Sequence, residues 1–263
     1  MLTLSPVRAE PASAKFDVVG LIESKLGKSL ETGDALVISS KFLAVSEGRV
    51  VRLGGVVPGE RAKALAKQYR MDPRLCELIV RESEEVIGGV PGFLLTVKDG
   101  LLTPNAGIDK SNIMHGMVVL YPRRAEALAA TIRRGIKFSL GADVAVVVCD
   151  SRLMPMRRGT TGVAIASSGL ESIVDMRGRR DLFGNVLKVT SQALADDLSS
   201  AAQILMGESS EATPIVHVRG LDRSLLRDEE YPSSRFSIAA DECVYLRSLG
   251  FAGGRRGRIR RVG

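Results

Sequence analysis

The chain has 263 residues, 45% of them hydrophobic and only 4% aromatic, with a formal net charge of +7. That length and apolar content can bury a substantial core as one large domain or two small ones, which excludes disorder along the whole chain. The charge is unevenly placed: five arginines fall within Arg255-Arg-Gly-Arg-Ile-Arg-Arg261, and the rest of the chain carries a charge near +2.

Such a tail either contacts a polyanion or is a solvated terminus. The second reading is preferred, so nucleic acid is not an expected partner. The apolar residues come in short runs such as Ala35–Ser39 and Ala145–Val148, none near the ~20 residues that would span a bilayer. Met1 to Lys15 mixes prolines and charges with small residues and has no apolar centre of the kind a secretory signal carries. No membrane partner and a cytoplasmic location are therefore expected. Cys76, Cys149 and Cys243 are far apart and suggest neither a disulfide framework nor a Cys-x-x-Cys metal clip.

In chain order, Gly33-Asp-Ala-Leu-Val-Ile-Ser-Ser-Lys41 reads as a turn, a buried strand and a functional loop. Glu60 to Arg70 has helical spacing, and Asp72-Pro73 supplies a cap and first-turn proline for a second helix to about Glu85. Phe93–Lys98, Asp99-Gly100 and Leu101–Thr103 predict a tight hairpin, because Asp-Gly tolerates the positive φ angles of a primed turn. Arg123 to Leu140 reads as a helix and Asp143 to Cys149 as a strand buried on both faces, which delivers Asp150 and Ser151 at its carboxyl end. A strand near Val163–Ser167 precedes a Gly-rich charged turn, Arg177 to Gly184. Thr190 or Ser191 then caps a helix ending at Met206-Gly207, and Pro214 to Arg219 is the last clear strand. Helices alternate with strands, some joined by a hairpin, so the fold class is mixed α/β (α+β).

Three polar segments stand at the ends of these elements. Asn105-Ala-Gly-Ile-Asp109, with Ser111 and Asn112, offers a hard carboxylate ligand beside an amide, or simply an Asx turn. Asp150-Ser-Arg-Leu-Met-Pro-Met-Arg-Arg-Gly159 puts an acid and a hydroxyl suited to Mg²⁺ ahead of Arg157 and Arg158, which suit phosphate or carboxylate; a plain strand-ending turn reads equally well. Met206-Gly-Glu-Ser-Ser-Glu211 is a helix stop whose Glu208 could complete a metal site. The chain has no Walker loop, no Gly-x-Gly-x-x-Gly and no Gly-x-Ser-x-Gly elbow. Its two histidines are His115 and His217, and the latter lies in a strand pattern that favours a satisfied core residue, so a Ser-His-Asp hydrolase is disfavoured.

The order of these segments resembles the coenzyme F420: L-glutamate ligases (F420 γ-glutamyl ligases). The likeness runs from about Gly33 to Gly220. It is carried by Ser46-Glu-Gly-Arg49, Asn105 to Asp109 with Ser111-Asn112, Asp150-Ser151, Arg157-Arg-Gly159, Gly178 to Gly184, Ala195-Asp196, Leu205-Met-Gly-Glu208 and Val218-Arg-Gly220. The resemblance implies a fold of two subdomains in an intertwined homodimer, with residues 1–230 as the ligase-like domain and 231–263 as an extension ending in the Arg-rich tail. It also implies an activity: GTP- and metal-dependent addition of L-glutamate to the glutamate-free coenzyme through an acyl phosphate, with Mg²⁺ or Mn²⁺ and an associated K⁺. By position Asp109 and Asp150 would be catalytic and hold one metal, and Ser151 and Glu208 a second. Lys41, Asn112, Met206, Gly207, Glu208 and Ser209 would face the nucleotide, and Arg157 and Arg158 the substrate. The family's lysine in Ser-Lys-x-Glu-Gly-Arg is Val45 here. Lys41 is the expected substitute, GTP binding is expected to be weak, and Val45→Lys is expected to tighten it. Two alternatives remain: a paralogue with another acceptor or without GTP use, and a non-enzymatic nucleic-acid-binding protein acting through the tail.

Overall fold

The computed structural model describes residues 1–250, so the arginine tail lies outside the described residues. Elements in the first half are β1 (Thr3–Val7), α1 (Val18–Leu26), β2 (Ala35–Ser39), α2 (Ser40–Ser46), β3 (Val50–Arg52), α3 (Glu60–Tyr69), α4 (Pro73–Glu82), β4 (Glu85–Val90), β5 (Phe93–Lys98), β6 (Leu101–Pro104) and β7 (Met117–Val119). The second half adds α5 (Ala125–Leu140), β8 (Ala145–Leu153), β9 (Thr160–Leu170), β10 (Val174–Asp175), β11 (Ser191–Gln192), α6 (Leu194–Met206), β12 (Ile215–Arg219), β13 (Leu226–Tyr231), α7 (Ser233–Phe236) and α8 (Val244–Ser248). The mixed α/β class follows directly.

A six-stranded sheet, ordered β1-β12-β2-β8-β9-β13, forms the centre. Only β2 and β8 run parallel in it. Strand alternation divides the core between its two faces. Leu36, Ile38, Val146 and Val148 face a cluster shared with Ile22 of α1 and Ile136 of α5. Ala35, Val37, Ala145 and Val147 face Leu198 and Ala202 of α6. Burying each of the larger aliphatic side chains contributes roughly 1.5–3 kcal/mol, which explains why β2 and β8 read as unbroken apolar runs. A separate cluster joins α3 and α4 to β5 and β7 through Ala62, Ile79, Leu94 and Val118.

Local chemistry sets the boundaries. Asp17 accepts a hydrogen bond from the Val19 amide at 3.0 Å and caps α1, and Asp72 does the same for Arg74 at 2.8 Å ahead of Pro73 in α4. The Asp99-Gly100 turn has φ of 50° and 73°, and β5 and β6 pair in the expected register.

Three features depart from the sequence reading. The segment after β2 folds into α2 directly and leaves no loop. Strand β8 does not end at Cys149: Asp150, Ser151 and Arg152 pair with Val163, Gly162 and Thr161 of β9, so both site residues lie within a strand, just past a bulge at Val148/Cys149. Ser191 does not cap α6, because it pairs with Asp175, and the helix opens at Leu194 without a side-chain cap. At the edge of the central sheet β13 pairs with β9 through Tyr231↔Ser167. No helix among the described residues is long and apolar enough to cross a membrane.

Candidate functional site

A cleft of about 890 Å³ opens at the ends of β2 and β8. Its walls come from residues 9–13, the start of α2, the 105–114 segment, the end of β8 and the segment following α6. Lys41, Asp109, Asn112, Asp150, Ser151 and Glu208 all line it, as do Met206, Gly207 and Ser209. Three segments far apart in sequence thus meet in one cavity.

Asp109 is held by backbone pairing with Val119, N–H to O in both directions at 2.9 and 2.8 Å. Its Oδ1 accepts the Ser111 amide at 2.7 Å, and its Oδ2 accepts the Ser111 hydroxyl at 3.0 Å and the Lys41 ammonium at 2.5 Å. Burial pushes this carboxyl up, but the Lys41 charge and these donors outweigh it and hold it below the ordinary carboxylate value. Just before it, Asn105 and Ala106 both have φ of 52°. That turn is held by the Asn105 side chain, which accepts from Leu94 N at 2.9 Å, and by the Ala106 amide, which donates to Thr96 Oγ1 at 3.1 Å.

Asp150 is braced from two sides. Ser40 Oγ donates to Oδ1 at 2.7 Å, and Arg152 Nε donates to Oδ2 at 3.1 Å. The Arg152 guanidinium, only 7% exposed as a residue, also donates to Leu102 O at 3.2 Å and to the Tyr121 hydroxyl at 2.7 Å. Burial pushes the Tyr121 phenol up, with Asp150 adding to the effect, so it stays neutral. Glycine is required nearby: Gly107 has φ +71°, and a Cβ there would stand 2.2 Å from Tyr121 Cδ2.

The third corner is Glu208, whose Oε1 accepts from Ser151 Oγ at 2.8 Å, Thr160 Oγ1 at 2.6 Å and the Gln203 amide. Asn112 Nδ2 reaches across to Ser209 O at 2.6 Å and ties the Asp109 segment to the Glu208 segment. Among the described residues no three His, Cys, Asp or Glu side chains converge on one point. The donor set is instead carboxylates interleaved with hydroxyls, the hard-oxygen chemistry that Mg²⁺ and Mn²⁺ take. The cation beside Asp109 is the Lys41 ammonium, which also lines the cleft.

Arg157 and Arg158 lie on the exposed turn joining β8 to β9, outside the cleft walls. Val45 packs in an apolar cluster with Ala44, Val119 and Phe16 at 5% exposure. Val45 also lines the cleft, so a lysine there would set its ammonium towards the cavity against the loss of the valine's apolar contacts. His217 is a satisfied core residue: its Nε2 lies 2.7 Å from Oδ2 of the buried Asp34. Sequence reasoning missed Ser40, Tyr121, Arg152, Thr160 and Gln203. Only Arg152 had a usable signal, two residues from Asp150 on the same strand face.

The model of the family described as F420-0:Gamma-glutamyl ligase matches residues 7–220. The chain belongs to this family. Curated relatives named coenzyme F420:L-glutamate ligase include one from Methanopyrus kandleri, 41% identical over 76% of this chain and 80% of its own length. Another from Archaeoglobus fulgidus is 38% identical over 78% and 82%, and one from Methanocaldococcus jannaschii is 36% identical over 76% and 84%. The F420 ligase match ends at Gly220, so β13, α7 and α8 lie beyond it.

Proposed function

We propose that this chain adds L-glutamate to the glutamate-free form of coenzyme F420, using GTP and a divalent cation. The observation that carries this reading is the meeting of Asp109, Asp150 and the Ser151–Glu208 pair in one cleft of an F420 ligase family chain. Condensing a carboxylate with an amine is uphill in water. Transfer of the γ-phosphoryl group to the acceptor's terminal carboxylate makes an acyl phosphate and releases GDP. The glutamate nitrogen then attacks the carbonyl carbon, phosphate leaves and the amine gives up a proton. Asp109 and Asp150 would hold one Mg²⁺ or Mn²⁺, and Ser151 with Glu208 a second. When bound, such cations neutralise charge on phosphate oxygens and favour an in-line displacement. The chain's own part is orientation: Ser40 and Arg152 fix the Asp150 carboxylate, Asn112 ties two walls together, and Lys41 supplies the ammonium for phosphate.

A second copy as partner is supported by exposed apolar side chains, Leu182, Phe183 and Val189 in the 177–190 segment and Met154 and Met156 at the β8–β9 turn. The unpaired Cys76, Cys149 and Cys243 fit a reducing cytoplasmic compartment. One observation favours a second reading, a paralogue with another acceptor: the apolar packing at Val45 where the family's lysine is expected.

Pure protein incubated with the glutamate-free coenzyme, L-glutamate, GTP and Mn²⁺ should yield a product heavier by one or more glutamyl units in the mass spectrum. GTP turnover with glutamate but no mass gain on that acceptor selects the paralogue. Folded protein that neither turns over GTP nor modifies the acceptor sinks both.

A further inference from the structure

Two of the cleft acids, Asp109 and Asp150, each carry a cation from the chain itself, and the two cations are not equally free. Arg152 is enclosed and spends its remaining donors on Leu102 O and the Tyr121 hydroxyl. Lys41 sits in the first turn of α2 with a side chain 27% exposed, and all its partners lie at one place. They are Asp109 Oδ2 at 2.5 Å, Ser111 Oγ at 2.7 Å and Ser111 O at 3.4 Å. A carboxylate, a hydroxyl and a carbonyl are the oxygen donors a hard cation uses.

We propose that Lys41 is a tethered competitor for the cation position at Asp109, and that a divalent cation displaces its ammonium, which is thereby released to a phosphate in the same cleft. The inference rests on the metal and nucleotide reading above and adds an order of events to it. Oδ2 of Asp109 already accepts the Ser111 hydroxyl as well as the Lys41 ammonium, and a dication placed beside that ammonium repels it, so cation binding at this oxygen carries the cost of weakening the Lys41 pair. That cost is offset once the ammonium finds a phosphate. The four-carbon stem swings from a fixed backbone, so the loss and the gain occur within one cavity. Metal and nucleotide then favour each other's binding, a coupling that acts reciprocally on the two affinities.

The test is calorimetric titration of wild type, Lys41→Met and Lys41→Gln, first with Mn²⁺ alone and then with the preformed Mn²⁺–GTP complex. Thermal unfolding verifies that each variant is folded, and the glutamine variant serves if the methionine variant is not. Removing a competing partly exposed ion pair should tighten Mn²⁺ binding, by roughly two- to five-fold. Removing the phosphate contact should weaken binding of the Mn²⁺–GTP complex, by about ten-fold. Opposite signs from one substitution support the proposal, because a merely structural lysine would not produce them. Mn²⁺ binding that is unchanged or weaker in the folded variants overturns it and leaves the metal site standing. Undiminished binding of the Mn²⁺–GTP complex overturns the release to phosphate. Mn²⁺ binding by none of the three proteins removes the metal site and this inference with it.

Discussion

Asp109 and Asp150 carry the same group into the same cleft and are held by opposite means. Asp109 stands at a single bridge to Val119, with a partly exposed lysine and a neighbouring serine as its side-chain partners. Asp150 stands within a nine-residue strand, with a serine on one oxygen and an enclosed arginine on the other. The first arrangement can exchange its cation for another. The second cannot without opening the wall between β6 and β8, since Arg152 is also bonded to Leu102 O. One acid is therefore built to respond and the other to stay fixed.

Replacing either acid tests the premise shared by both. Asp109→Asn and Asp150→Asn keep side-chain size but lose the charge that a hard cation needs, and each should lower glutamylation by about 100-fold or more. Near-normal product formation in both variants would remove the metal centre. The next largest effect separates the two sites. Arg152→Met leaves a largely buried carboxylate without its counterion and should cost about 3–5 kcal/mol in denaturant unfolding. Lys41→Met breaks a partly exposed pair and should cost under about 1 kcal/mol. Equal losses would show that Asp109 is as rigidly held as Asp150. Tyr121→Phe removes one hydroxyl from the Arg152 network and should cost about 1 kcal/mol, and a variant as stable as wild type would place that network outside the fold's stability.

A matter of slope comes last and provides a reference away from the cleft. Asp34 is buried, and burial alone would raise its carboxyl; donors from Arg219, the Glu31 amide and His217 lower it below its ordinary value. A depressed folded pKa contributes stability that is fully present above the unfolded value of about 3.9 and is lost as pH falls through the lower folded value. Asp34→Asn should flatten the dependence of the urea midpoint on pH below about 4. An unchanged slope would assign acid sensitivity to other carboxylates, with Asp109 the first to examine.

Periodicity, caps and turn chemistry revealed β2, α3, α4, the β5–β6 hairpin, α5 and α6, because in those segments one local signal outweighed its competitors. The extension of β8 through Leu153 was hidden because Asp150, Ser151 and Arg152 are polar, and their strand state depends on pairing with β9. Ser191 looked like a cap for the same reason in reverse: a partner strand claimed it. In the cleft, acids and glycines were visible because few roles need them at strand ends. Ser40, Tyr121 and Thr160 were not, since a hydroxyl acquires its meaning from whatever the fold sets opposite it.

The contact between Gly107 and the Tyr121 ring has a consequence for how this sequence can change. No residue with a Cβ fits at 107 while the tyrosine is present, and the tyrosine hydroxyl in turn accepts from Arg152. Positions 107, 121 and 152 therefore constrain one another across more than forty residues of chain. A lineage or design that places a side chain at 107 has to shrink or move the ring at 121 in the same step or pass through a damaged intermediate, and losing that tyrosine also removes a partner of Arg152, so the three positions are best redesigned together.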